Sequence, residues 1–270
     1  MIGQSNGAVE FKVDTSGDVT LNGNLNLPYT NYTGTVGVIT QDGFPFIHTC
    51  CNSTINTFIG QGAGNFYTSG EGSTAFGSSA LHSISTGNYN TAIGYSALWS
   101  NTTGGNNTAI GQSALSSNTA GGNNTAVGVS ALVANCNSVP EPCTALNNTG
   151  VGYWALVHNS TGDHNTAIGA NADVTSTNMS NATAIGANAV VGASNALVLG
   201  SISGVNGATS NVNVGIGTPT PAAALHVASG DVYLSNPGNG VILKSPDGST
   251  CRRLTIDNTG AMVLTALTCP

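Results

Sequence analysis

Small and apolar residues recur with a period of seventeen between residues 57 and 200. A glycine ends each Thr-Ala-Ile-Gly-like unit, and one interval of twenty-four is the only break in the spacing. An alanine follows each glycine by three positions. Two landmarks that keep one register over eight copies predict a stack of repeated structural units. The repeat glycines are Gly60, Gly77, Gly94, Gly111, Gly128, Gly152, Gly169 and Gly186.

Each copy is predicted to contain a short strand, a glycine corner, a second short strand and a polar corner. A helical-hairpin repeat is excluded, because it needs more than about thirty residues. In the fourth copy, Thr108 and Ile110 share one face of the first strand, and Ala109 lies on the other. Ala114 and Leu115 supply a second apolar pair. We therefore expect isoleucine and leucine to form the core.

Stacking the copies places Ile93 beside Ile110 and Leu98 beside Leu115, in continuous apolar columns. Eight coils at ~4.8 Å per rung predict an all-β solenoid roughly 40 Å long, with its strands parallel. An asparagine precedes most of the first strands in the same register. We interpret these side chains as corner ladders that bond along the axis, and not as ligand contacts. They are Asn90, Asn107, Asn124, Asn148 and Asn165.

The six cysteines favour an oxidising compartment. Cys136 and Cys143 bracket the extra residues of the long interval, and we expect them to form a disulfide that staples a loop; two free buried thiols are the alternative. Cys251 and Cys269 flank the last strands and are expected to pair. Cys50 and Cys51 are adjacent, so they either link chains of an oligomer or stay unpaired.

The repeat units resemble those of known fibrous proteins. STAFG, NTAIG, NTAVG and NATAIGANA resemble the head repeats of trimeric autotransporter adhesins, and TTGGNNTAIGQSAL is similar to repeats of bacteriophage tail fibres. The resemblance covers residues 57–191, while residues 38–66 and 211–234 resemble the segments that precede and follow such rolls. It implies a left-handed parallel β-roll, three copies of which intertwine around a three-fold axis as a homotrimer.

Four regions are expected along the chain: a β-rich lead-in (1–56), the β-roll (57–200, with an insertion at 134–145), a connector (201–230) and a β-meander (231–270). Turns are predicted at Ser16–Gly17 and Asn22–Gly23 near the start. Near the end they are predicted at Asp247–Gly248 and at Asn258, Thr259 and Gly260. The phrase AAALHVA fits either one helical turn or a strand.

Composition excludes several classes of function. Charged residues make up 6% of the chain, the net charge is -7, and only four residues are Lys or Arg, so nucleic acid is not an expected partner. No apolar run is long enough to span a membrane, and the first residues lack the basic and apolar regions of a secretory signal. We expect an extracellular location, on a cell or virion surface.

Candidate chemistry is sparse. The histidines (His48, His82, His158, His164 and His226) are scattered without metal-ligand spacing, and no cofactor or catalytic motif is found, so we do not expect an enzyme. Trp99, Tyr153 and Trp154 place large aromatics where other copies carry small residues. They are interpreted either as sugar-stacking ligand contacts or as packing residues, between chains or against the loop that follows Cys136.

The expected function is a structural fibre or adhesin module, a stiff trimeric rod for surface attachment or receptor binding. Its partners would be further copies of itself and an unknown surface receptor or glycan. A self-assembling extracellular filament subunit is the alternative. Two remoter alternatives are a polysaccharide-cleaving solenoid and an ice-binding solenoid, the latter motivated by the column formed by Thr91, Thr108 and Thr125.

Overall fold

The structure is a computed structural model that describes residues 11–13, 19–21, 38–41, 44–49, 56–136, 145–234 and 239–269. Only the backbone is described for the first two ranges. All regular structure in the described residues is β, with no helix. The chain forms two compact units, Met1–Val212 and Asn213–Pro270.

Two antiparallel pairs precede the repeats. β1 (Phe11–Val13) pairs with β2 (Val19–Leu21), as expected for a hairpin; its predicted turn at Ser16–Gly17, and the turn at Asn22–Gly23, lie outside the described residues. β3 (Ile39–Gln41) pairs with β4 (Phe44–His48), which in turn runs antiparallel to the first strand of the solenoid. This hairpin covers the first edge of the solenoid sheet, where backbone groups would otherwise lack partners.

Each repeat contributes one three-residue strand to a parallel sheet. Threonine pairs with threonine, and the second and third residues of each strand pair with the second and third residues of the next, so the predicted period and register are confirmed. The coil strands are β5 (Thr57–Ile59), β6 (Thr74–Phe76), β7 (Thr91–Ile93), β8 (Thr108–Ile110), β9 (Thr125–Val127), β10 (Thr149–Val151), β11 (Thr166–Ile168), β13 (Thr183–Ile185) and β15 (Leu197–Leu199). The fold is therefore a β-solenoid of about eight turns, as predicted.

The face of the strand that enters the core is the opposite of the one predicted. Ala109 is fully buried, whereas Ile110 is 39% exposed and Thr108 is half-buried. The interior is filled by strand alanines packed against the alanine and leucine of the return segment, here Ala114 and Leu115. Since one short coil leaves only a narrow interior, methyl side chains fit on the strand, and the larger isoleucines turn outward.

The predicted second strand is also wrong for most coils. In the return segment of the fourth coil, Ser113 and Leu115 both adopt left-handed backbone conformations, with φ of 57° and 52°. The chain therefore turns tightly where an extended strand was expected. Its N–H groups still bond to neighbouring coils: Leu115 donates to Ala131 O at 3.0 Å. Only the last coils extend here, as β12 (Asp173–Val174) and β14 (Val190–Val191).

The repeat glycines share one backbone conformation, with φ between 120° and 136°. A side chain at this corner would meet the coil above: a Cβ on Gly111 would lie 2.4 Å from the carbonyl oxygen of Gly128. Both the backbone angle and the close approach of successive coils thus require glycine. The regular spacing of glycine in the sequence follows from this contact.

The asparagines before the strands form the predicted ladder, fully buried inside the solenoid. The Nδ2 of Asn107 donates to Gly121 O at 2.8 Å, and its Oδ1 accepts the backbone N–H of Asn124 at 3.0 Å. A second ladder in the return segment was not predicted; it consists of Asn101, Asn118, Asn135 and Asn159. Together the ladders bond backbone groups that the narrow core would otherwise leave buried without partners.

The long interval does not disturb the stack. β9 and β10 pair threonine with threonine, as the neighbouring coils do, so the extra residues of this interval leave the register of the stack unchanged. Cys136 is buried and disulfide-bonded. Cys143, Cys50 and Cys51 lie outside the described residues, so their pairing stays a prediction.

The second unit is built from two small sheets. β16 (Val214–Ile216) and β17 (Leu225–Val227) are parallel, which shows that the AAALHVA phrase ends in a strand. β18 (Val241–Lys244), β19 (Cys251–Ile256) and β20 (Met262–Leu267) form an antiparallel meander, as predicted. The expected disulfide between Cys251 and Cys269 is present.

Candidate functional site

The outward side of the solenoid sheet is a regular surface, which we call the Thr/Ile face. It consists of two parallel columns, and every coil contributes one residue to each. The first residues of the strands form a threonine column: Thr57, Thr74, Thr91, Thr108, Thr125, Thr149, Thr166 and Thr183. The third residues form an apolar column: Ile59, Phe76, Ile93, Ile110, Val127, Val151, Ile168 and Ile185. Most apolar members are exposed, and the rest are half-buried.

The Thr/Ile face contains no charged side chain, because its two columns hold only threonine, phenylalanine, isoleucine and valine. Parallel pairing in constant register repeats these side chains at every rung, at the ~4.8 Å spacing of neighbouring strands. A continuous exposed apolar column is typical of surfaces that bind a protein or another ordered partner. The face therefore suits contact with a partner that is itself regular along the axis.

The three aromatic residues singled out in the sequence do not come together. Trp99 belongs to the return segment of the third coil and stacks on His82, with ring centroids 5.8 Å apart. Tyr153 and Trp154 follow the glycine corner of the sixth coil and stack on each other at 5.2 Å. Trp99 and Trp154 are each 45% exposed. Packing against the loop after Cys136 is not described, since residues 137–144 lie outside the described residues.

A cavity of about 370 Å³, which we call the end cavity, lies where the β3–β4 hairpin meets the first coil. Sequence reasoning missed it, although FPFIH and the aromatic residues of the first coil were available signals. Its lining combines aromatic rings, two amides and backbone. The residues are Phe44, Pro45, His48, Gln61, Gly62, Ala63, Gly64, Asn65, Phe66 and His82.

His48 forms the inner wall of the end cavity. It is buried, its ring stacks on Phe66 at 4.4 Å, and its Nε2 donates to Ala63 O at 2.9 Å. That bond places the proton on Nε2 and leaves Nδ1 as an acceptor, which has no hydrogen-bond partner among the described residues. Burial lowers the pKa of His48, so the ring is neutral near neutral pH.

A carboxylate replaces the core leucine in the seventh coil. Asp173 is buried, and its Oδ2 lies 2.5 Å from Nδ1 of the exposed His158. Burial raises the pKa of Asp173, and the hydrogen bond from His158 opposes that shift without cancelling it. The described residues contain no group of three or more histidine, cysteine or acidic side chains placed to hold a metal ion.

Comparisons with known protein families, curated proteins and solved structures found no match to this chain. Within the part of the chain that is described, no helix has the length and hydrophobicity needed to cross a membrane. Any functional assignment therefore depends on the two surfaces described above, the Thr/Ile face and the end cavity.

Proposed function

We propose that this chain is a segment of a homotrimeric fibre, a stiff spacer and attachment module on the outside of a cell or virion. The observation that carries the proposal is the Thr/Ile face. A solenoid that folded only for itself would bury the large apolar residues of its strands; this one leaves five of the eight in the column exposed and the other three half-buried. Three copies that pack these faces around a common axis would bury all eight apolar residues of each chain.

The energy available from this packing is substantial. Full burial of an isoleucine side chain contributes about 1.5–3 kcal/mol, and Ile110 is still 39% exposed. The five exposed residues of the column therefore have about 1 kcal/mol each left to gain on association, and the three half-buried ones have less. The sum per chain, roughly 5 kcal/mol or more, is comparable with the about 4–15 kcal/mol that association costs in lost freedom. Because every copy of the chain repeats its coils at the same spacing, all eight apolar residues of each column can be buried together.

The second unit supports the same proposal. Among its described residues only Cys251 is buried, while large apolar side chains such as Ile256 and Met262 are 70% and 78% exposed. A three-stranded sheet is stable on its own only if one hydrophobic face is covered. Other copies of the chain fit as the covering partner, because the exposed side chains on this sheet are mainly aliphatic.

The resemblance to fibre repeats and the disulfide between Cys251 and Cys269 agree with an extracellular setting. A rigid stack of coils presents identical corners at regular intervals. Such a surface binds a receptor by many weak contacts, which raises the overall affinity without any tight single site. A filament subunit, in which trimers join end to end, is the alternative within the same class.

Light scattering of the purified chain tests the assembly. A monomer weighs 26.8 kDa, so a trimer weighs about 80 kDa, three times that mass. Ile110→Lys places a charge in the centre of the Thr/Ile face and should convert trimers to monomers. Val129→Lys is the matched control, because Val129 is 41% exposed and lies beyond the glycine corner. A monomeric wild-type protein would contradict the proposal.

Ice binding gains one argument from the structure. From the sequence we expected each threonine to share the buried face of its strand with an isoleucine. In the structure both columns face outward and form a regular polar and apolar array. Such an array suits ordered water if the face stays free. Freezing-point hysteresis that is present in a monomeric wild-type protein and lost in Ile110→Lys would favour this second function.

A further inference from the structure

The end cavity is separate from the Thr/Ile face, since no residue of the two columns is among its described lining residues. We infer that the end cavity, together with the aromatic side chains next to it, is a binding site for an uncharged glycan chain. The inference rests on the proposed function, because it names the receptor chemistry for an attachment fibre.

The first observation is a pair of stacked rings beside the cavity. His82 and Trp99 occupy the same position in two successive coils, and the ring of His82 stacks on that of Trp99 at an interplanar angle of 19°. His82 also lines the end cavity, so the ring pair continues from the cavity along the solenoid for one coil. The faces of such rings are electronegative and attract the C–H groups of a sugar ring.

The second observation is the polar character of the cavity. Gln61 and Asn65 bring amide groups to the lining. An amide both donates and accepts hydrogen bonds, so each of these side chains can bind a hydroxyl group. A few polar groups among aromatic walls are typical of small-ligand sites.

The third observation is the absence of a permanent charge. None of the described residues that line the cavity is Asp, Glu, Lys or Arg; its only ionisable side chains are those of His48 and His82. Phosphate, sialic acid, acidic peptides and nucleic acid would find no Lys or Arg there to bind them. A ligand rich in hydroxyl groups but without charge fits both the polar and the aromatic parts of the lining.

The ligand is a chain of sugars, because the ring pair extends past the cavity to Trp99. A volume of about 370 Å³ lies near the lower end of small-molecule pockets and would hold the end of the chain. Successive rungs are ~4.8 Å apart, which is similar to the length of one hexose unit. Trp99 would therefore stack on a later sugar of the same chain.

Binding can be measured on the full-length chain by saturation-transfer NMR and tryptophan fluorescence. The probes are neutral hexasaccharides of glucose, N-acetylglucosamine, mannose and galactose, with hexagalacturonate as the charged comparison. Trp99→Ala should weaken binding of the preferred hexasaccharide about tenfold or more. Trp154→Ala is the matched control, since Trp154 has the same 45% exposure, and it should leave affinity within about twofold.

Three results would overturn the inference: no binding of any neutral probe, an equal loss in both variants, or tighter binding of hexagalacturonate. Capture of a neutral proline-rich peptide in place of the sugars would overturn it as well. Light scattering on the same samples separates this inference from the proposed fibre. Trimers that bind no glycan reject only the glycan site, whereas monomers that bind one reject only the trimeric fibre.

Discussion

The unpredicted asparagine ladder gives the sharpest test of what holds the coils together. Asn118 lies at its centre and is fully buried. Its Nδ2 donates to Asn101 Oδ1 at 2.8 Å and to Gly121 O at 2.9 Å, and its Oδ1 accepts from Asn135 Nδ2 at 2.9 Å. Asn118→Asp keeps the size and shape of the side chain but replaces the donating amide with an oxygen.

The expected cost follows from these bonds. Two hydrogen bonds are lost, each contributing about 1 kcal/mol. The Asn101 oxygen also loses this donor in a site closed to water, which adds about 1–3 kcal/mol. Gly121 O keeps the bond from Asn107 Nδ2 at 2.8 Å, so it adds nothing further. We expect Asn118→Asp to lower the free energy of unfolding by about 3–5 kcal/mol at neutral pH.

Urea denaturation followed by circular dichroism measures this loss. Asn123→Asp is the control, because it makes the same change of charge at an exposed asparagine five residues away. The control should change stability by less than about 0.5 kcal/mol. If Asn118→Asp were no more destabilising than Asn123→Asp, the buried ladder would not be a source of stability.

Two further predictions concern the corner and the core. Gly111→Ala should lower the free energy of unfolding by more than about 3 kcal/mol in the same assay, because the new Cβ would lie 2.4 Å from Gly128 O. Gly192→Ala is the control and should leave the stability unchanged, because nothing lies within 4 Å of the new Cβ. Asp173→Leu should stabilise the protein in thermal melts. Burial raises the pKa of Asp173 in the folded state, so its contribution is favourable at low pH and is lost as pH rises through that pKa. The gain should therefore be larger at pH 7 than at pH 4, and an equal gain at both would contradict this.

The period, the parallel stacking and the terminal hairpins were predictable because each depends on spacing. A residue that must be glycine in every coil, such as Gly111, produces a signal that one sequence is enough to reveal. The meander was predictable for a similar reason: Asp247 and Asp257 accept hydrogen bonds from backbone N–H groups two residues on, which is the local chemistry of turns.

The inward face of the strand was not predictable from alternation alone. A period of two separates Ala109 from Thr108 and Ile110 but does not say which face is inside. Hydrophobicity favours isoleucine, and the width of the interior decides for alanine. The end cavity was missed for a different reason. It lies between β4 and the return segment of the first coil, and contacts between segments that are distant in the sequence leave no periodic signal.

The narrow core has a direct consequence for function. If the inward position of each strand held isoleucine, the outward side of the sheet would present alanine, and the chain would have little to gain from association. Because the inward position of the strand is alanine in most coils, the larger third residue of the strand lies outside, next to a threonine whose hydroxyl is compatible with either water or a partner. The need for a partner therefore grows with each added coil. If the proposed trimer forms through the Thr/Ile face, shortening the solenoid by whole coils should weaken that trimer in steps, which light scattering over a dilution series would measure.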